Sequence, residues 1–255
     1  MLRATLLLFL ALRVEAATEY RLTVEITGNP LARANGVSAH TVLVDGAHRR
    51  VFSEDGGSLS NDSGKTRIQL DSKLKTWWTS DQTAMFGRLH PTAPLPVMAK
   101  PKVRNVRVVS SDEPSDEIFA SLSTHKYVVR ATYTLVADVS GSPLSADYGL
   151  TIFIWTNETL DPATAVPPVD LTSGVPEVEA QLAPKIAGVP GFPLKTVLVA
   201  TRAYAGGKPQ ASTLTATVSD IRSVTPPPGA FERPRHYVNQ APVVVGPGVS
   251  PPGQR

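Results

Sequence analysis

The chain contains no cysteine. That absence excludes disulfides, thiol nucleophiles, thiolate zinc sites, iron–sulfur clusters and a lipid-modified cysteine anchor. Aromatic residues are scarce, at 6%. Charge of either sign is not in excess: 25 Lys and Arg stand against 22 Asp and Glu, a net +3 over 255 residues. Such a balance makes no electrostatic case for nucleic acid as a partner. No apolar run approaches the roughly 20 residues that a membrane-spanning helix needs, so no transmembrane segment is expected. The 42% of hydrophobic residues nevertheless suffices for a core and excludes wholesale disorder. What the chain has in quantity is punctuation, with 23 prolines and 18 glycines cutting it into short segments.

Residues 1–16 read as an export signal. Arg3 supplies the positive charge, residues 6–12 the apolar stretch and Val14-Glu15-Ala16 the cleavage site. The mature chain is expected to begin near Ala17 and to work in the periplasm or outside the cell. Asn61-Asp62-Ser63 and Asn157-Glu158-Thr159 are glycosylation sequons only in a eukaryotic secretory route.

Beyond the signal the hydrophobic period is two. Tyr20, Leu22, Val24 and Ile26 alternate with Arg21, Thr23, Glu25 and Thr27, which makes a strand with one buried face. Segments 39–44 and 49–53 are joined by Asp45-Gly46-Ala47-His48, where Asp-Gly supplies the positive φ of a tight hairpin. Segments 66–71 and 75–79 repeat the arrangement around Ser72-Lys73-Leu74. Further on, Tyr127, Val129, Ala131, Tyr133 and Leu135 share one face. Leu150, Ile152 and Ile154 alternate with Thr151, Phe153 and Trp155, so both faces of that strand are mostly apolar and need cover. Segments 197–200 and 213–218 complete the series. Roughly eight to ten strands with short connections predict an antiparallel sheet.

Two segments read as helical: 82–89, stopped by Pro91, and 176–186, broken at its end by Pro184. The expected fold class is mainly β, a curved antiparallel sheet with one or two short covering helices. Prolines crowd from Pro226 onward, and the end of the chain is expected to be extended or disordered. The domain reading is a signal peptide over 1–16, one β domain over 17–238 and a Pro/Gly-rich tail over 239–255.

No catalytic or metal-binding set is legible, and no cofactor is expected. His40, His48, His90, His125 and His236 fall in different segments, none at ligand spacing. Ser72 to Lys75 matches S-x-x-K, but it bridges two strands instead of opening a helix and lacks an accompanying K-T-G. Asp112, Glu113, Asp116 and Glu117 read as one solvated loop. Lys100, Lys102, Arg104 and Arg107 form a basic stripe that suits a charged sheet edge. Gly56-Gly57 and Gly206-Gly207 read as hairpin glycines. Trp77-Trp78 is more informative, because neighbours in a strand face opposite ways: one indole enters the interior and the other faces out.

Asp45-Gly46, Arg50-Val51-Phe52, the stretch from Ser60 to Thr66, Ile68-Gln69-Leu70-Asp71 and Lys75-Thr76-Trp77-Trp78 form a cadence. Later come Ile152-Phe153-Ile154-Trp155-Thr156, Gly191-Phe192-Pro193-Leu194-Lys195, Val218-Ser219-Asp220-Ile221, Phe231-Glu232-Arg233-Pro234 and Tyr237. Together they resemble exported bacterial domains of unknown function that are similar in pattern to the periplasmic lipoprotein carriers LolA and LolB. The resemblance covers about residues 20–237. It implies a LolA-like half-barrel, in which helices close the concave side of the sheet over an apolar cavity. The sequence departs from the pattern at Asp62-Ser63-Gly64, a weakened glycine turn, and at the two tryptophans, where tyrosines are usual.

The expected function is that of an exported periplasmic or cell-envelope protein, not an enzyme, that binds an apolar, acyl or lipid-like ligand in the half-barrel cavity. Trp77, Trp78, Tyr133, Phe153 and Trp155 are the residues expected to line it. The alternative is a cell-envelope structural or protein-interaction module without a small-molecule ligand. The partners implied are thus a lipid or acyl chain, or an envelope protein.

Overall fold

The computed structural model describes residues 16–28, 35–80, 102–115, 117–139, 142–166, 175–204 and 206–240. The first meander is made of β1 (Ala17–Thr27), β2 (Gly36–Asp45), β3 (His48–Ser53), β4 (Gly56–Ser60), β5 (Arg67–Asp71) and β6 (Thr76–Ser80). The second holds β7 (Lys102–Glu113), β10 (His125–Val139), β11 (Ser142–Asn157), β12 (Phe192–Tyr204) and β13 (Gln210–Val224). A small separate hairpin, β8 (Ile118–Phe119) and β9 (Leu122–Ser123), stands between β7 and β10. A last short strand, β14 (Val238–Asn239), ends the described chain.

Twelve strands form one open sheet in the order β14-β6-β5-β4-β3-β2-β1-β13-β12-β11-β10-β7. Every pairing in it is antiparallel except β14 on β6. The mainly antiparallel sheet expected from the period-two pattern therefore forms, with more strands than the eight to ten read from the sequence. The meanders meet at β1 and β13, paired from Ala17↔Val224 to Thr27↔Thr213. Strands β6 and β7 lie near opposite ends of the sheet. The helix expected over 82–89 lies outside the described residues, as do the signal segment 1–15 and the tail from 241.

Local chemistry explains the tight turns. Gly46 takes φ 55° between Asp45 and His48, which pair directly, as the Asp-Gly signal required. At Gly57 the reason is proximity: a Cβ there would stand 2.1 Å from the Val51 carbonyl oxygen. The stretch read only as hairpin glycines is thus a strand in its own right, with the small side chains that let its neighbours approach.

The core follows from register. Ile26, Leu214, Leu198, Ile152 and Val129 stand in one row across β1, β13, β12, β11 and β10. Leu214, Ile152 and Val129 are fully buried, and each such side chain contributes on the order of 1.5–3 kcal/mol. Cover for this inner face comes from α1 (Pro176–Ala187), which packs on β7 and β10 and buries Val178 and Leu182 completely. Pro184 does not break the helix as its sequence suggested. It sits in the last turn of a helix that runs on to Ala187, where its missing N–H removes the one bond back to the Ala180 carbonyl without ending the helix.

On the outer face a second, smaller cluster forms from Ala17, Leu43 and Ala230, with Val224 and Phe231 against it. Residues 225–240 cross this face as a strap. Arg50 donates to the Ala230 carbonyl at 2.9 Å, and Arg233 lies 4.0 Å over the Trp77 ring. The proline-rich end of the domain, expected to be extended or disordered, instead runs through turns closed by Ala230 N–H on Pro227, Glu232 N–H on Gly229 and Tyr237 N–H on Pro234, and it is fastened at least as far as β14.

Candidate functional site

The five residues expected to line one cavity do not share a face. Tyr133 is on the inner face, buried and stacked on Tyr148 with ring centroids 5.2 Å apart. Phe153 and Trp155 project from the other side of the sheet, because Phe153 pairs with Val128 while Tyr133 belongs with Val129 and Ala131. Trp77 and Trp78 do point opposite ways. Register carries Trp78 through Gln69, Ser58, Val51 and Val42 to Tyr20 on the inner face, and Trp77 through Leu70, Gly57 and Phe52 to the outer one.

The doubly apolar strand finds its cover on both sides, as its composition required. Inside, Ile152 and Ile154 join the core. Outside, Trp155 is buried beneath the β8–β9 hairpin, with Phe119 edge-on at 6.0 Å. Its indole N–H donates to Glu117 at 2.9 Å, and the Lys195 ammonium lies 4.9 Å from the ring centroid. Trp155 thus closes a structural contact of this chain.

Tyr20 anchors the segment that crosses the inner face after β11. Its hydroxyl donates to the Thr164 carbonyl at 3.3 Å and accepts from the Val166 N–H at 3.0 Å. Burial pushes its pKa well above the ordinary tyrosine value. Next to it, a void of about 10 Å³ is walled by Leu22, Val166, Phe192 and Ala216. That is room for about one water molecule.

A larger space opens where β2 outruns β3. Strand β3 pairs with residues 41–45 of β2, so among the described strands residues 36–39 pair with β1 alone. The open cleft there measures about 1200 Å³ and is lined by Arg21, Val37, Thr41, Phe52, Glu54 and Arg222 among others. Val37 is 68% exposed. Arg222 donates from Nε to Glu19 at 2.9 Å on one flank. His40, also in the lining, is held below the ordinary histidine pKa by burial.

No protein-family model matches the chain, and no curated protein matches it at a significant level.

The remaining candidate groups are placed individually. His48 is hydrogen-bonded to Asn61 at 3.0 Å, His125 pairs with Asp112, and His236 packs on Tyr237. His90 lies outside the described residues. The acidic cluster is not a loop throughout: Asp112 and Glu113 end β7, where Glu113 pairs with Lys126 at 2.9 Å. Ser72 to Lys75 forms the β5–β6 turn, capped by Asp71, which accepts from the N–H groups of Lys73 and Leu74. Lys102, Arg104 and Arg107 lie on the edge strand β7, kept exposed on one face by a bulge at Asn105, whose φ is 55°. The overhang of β2 left no signal in the sequence, because it depends on β3 being shorter than its neighbour.

Proposed function

We propose that this chain is an exported, non-enzymatic interaction module of the cell envelope that receives an extended segment of a partner protein in the cleft beside β2. The observation that carries the reading is the overhang itself: among the described strands residues 36–39 pair with β1 alone, and they border the open cleft. A strand edge recruits another strand through main-chain hydrogen bonds, while flanking side chains supply selectivity. Val37 and Phe52 offer apolar contact there, and Arg21 and Glu54 offer charge of both signs. Export in this reading rests on the order of residues 1–16, and the similarity in pattern to LolA and LolB rests on the motifs quoted above.

The same similarity would make the chain a carrier of an acyl or lipid-like ligand, which the inner face supports less. Val178, Leu182, Leu194 and Leu214 there are fully buried against their own neighbours. The void beside Tyr20 is far below the several hundred Å³ of ordinary ligand sites.

The test places a photocrosslinking amino acid at Val37 in the full-length protein within its native cells, with the exposed Leu74 as control. A discrete protein adduct from position 37 and none from 74 is expected. An adduct of lipid mass at 37, or equal yields at both positions, overturns the reading. Saturable uptake of a fluorescent fatty acid by the purified chain, lost in Tyr133→Ala on the inner face, would install the carrier in its place.

A further inference from the structure

We propose that Arg49 and Arg67 form a phosphate-binding site on the inner face of the first meander. Arg49 lies on β3 opposite Val44, and Arg67 lies on β5 opposite Ser80. Alternation with Val51 and Gln69 places both side chains on the inner face. Arg67 is only 3% exposed, yet among the described residues it has no hydrogen-bond or ion-pair partner. Its Nη1 and the Nε of Arg49 are enclosed without an acceptor.

Guanidinium groups do not shed their protons in proteins. One positive charge, on Arg67, is therefore enclosed with a second, half-exposed one beside it, and enclosing a charge without a counter-charge is strongly unfavourable. Burial first, and then Arg49, pulls the Arg67 pKa below its ordinary value, which expresses the same conflict. Asp62, in the adjoining turn, forms no ion pair with either arginine; its Oδ1 accepts from Ser60 at 2.8 Å and from the Thr66 N–H at 2.9 Å.

Geometry makes the pair a receptor. A Cβ on Gly64 would stand 3.3 Å from Arg49 Nη1 and 3.9 Å from Arg67 Nη2, so both guanidinium heads come together against the backbone of this glycine, where a side chain would crowd them. Gly64 itself is buried, at φ 90°. Arg49 is steadied by donation from Nη2 to the Ala163 carbonyl at 3.2 Å, and its half-exposed side chain gives the way in to Arg67. A phosphate group carries about −1.5 to −2 charge near neutral pH and offers oxygens for forked donors, which matches two arginines. A carboxylate would leave one positive charge over. The phosphate is either free or the monoester headgroup of a lipid. The site is separate from the cleft beside β2, so either proposal can fail alone.

The experiment uses the full chain and two probes at constant ionic strength: calorimetric titration with inorganic phosphate, and flotation with phosphatidylcholine vesicles containing phosphatidic acid. Saturable binding of inorganic phosphate assigns the site to free phosphate, and binding to the vesicles alone assigns it to a headgroup. In either case Arg67→Met is expected to weaken binding at least about tenfold. Arg49→Met, a change at a half-exposed side chain, should do the same with an unaltered circular dichroism spectrum. Arg67→Lys keeps the charge but loses the fork, and should retain part of the affinity. Failure of both probes to bind overturns the proposal, and so does wild-type affinity in Arg49→Met.

Discussion

From β1 to β6 one inner-face row reads Tyr20, Val42, Val51, Ser58, Gln69 and Trp78, while from β13 to β10 a corresponding row reads Leu214, Leu198, Ile152 and Val129. Both rows lie on one sheet and have the same hydrogen-bonded geometry. They differ in what covers them. Helix α1 packs on β7 and β10, and the row is apolar from β13 to β10, turning to Ser110 at the edge strand β7. Against the first meander lies the short helical turn Pro162–Thr164, whose Thr164 and Ala163 carbonyls accept from Tyr20 and Arg49, and its row turns polar at Ser58 and Gln69 before ending on Trp78. The row of the second meander thus carries the apolar core, while that of the first is mixed. The second meander is a wall of a packed core; the first keeps a face on which polar groups such as Arg49 and Arg67 meet.

If that contrast is right, the two halves should break in opposite ways. The largest effect is expected from removing volume in the second: Leu194→Ala deletes a fully buried side chain and should cost about 2–5 kcal/mol in urea unfolding. The first should suffer more from adding volume. Gly57→Ala would set a Cβ 2.1 Å from a backbone oxygen of β3, and a loss of about 1–3 kcal/mol is expected, with increased amide exchange confined to β3–β5. Arg233→Ala removes the cation from the Trp77 face. It should cost about 0.5–1 kcal/mol and make the strap more open to protease, without touching the core.

The smallest effect concerns pH. Hydrogen bonds from the Thr66 N–H, the Thr66 hydroxyl and Ser60 hold the Asp62 carboxyl at about 2. A group depressed in the folded state adds stability above its unfolded value of about 3.9 and loses it as pH falls through the folded one. The wild-type advantage over Asp62→Asn should therefore be complete near neutral pH and vanish between about pH 4 and pH 2, as read by thermal unfolding across that range.

Much of this architecture could be read from residue order. Strands such as β1, β10 and β13 announced themselves because one face is buried and the other wet, which writes period two directly into the sequence. Strand β4 did not, since Gly56-Gly57-Ser58 has little strand propensity and owes its place to the closeness of β3 and β5. The aromatic residues were harder. That Phe153 and Trp155 share a face is visible from their spacing, but Tyr133 lies on a different strand, and only the pairing Tyr133↔Tyr148 decides that it faces the other way. Arg49 and Arg67 could not have been joined from the sequence, because their meeting depends on β4 lying between them and on a glycine turn that brings both heads together. Asp62 was noted only as part of a turn, and its low pKa comes from bonds that a turn closes.

The seam between the meanders has a consequence in time. Each meander can zip from local hairpins, but β1 meets β13 only when residues about two hundred positions later have been synthesised, as Ala17↔Val224 shows. Contacts so remote in the chain form slowly, because loop closure must precede any reward. Until then the newborn β1 has a partner on one side and a bare edge on the other, with Tyr20, Leu22 and Val24 still uncovered. The middle of the finished sheet is in this sense the youngest part of the molecule, and the interval before it closes is when the chain is most open to pairing with a stranger.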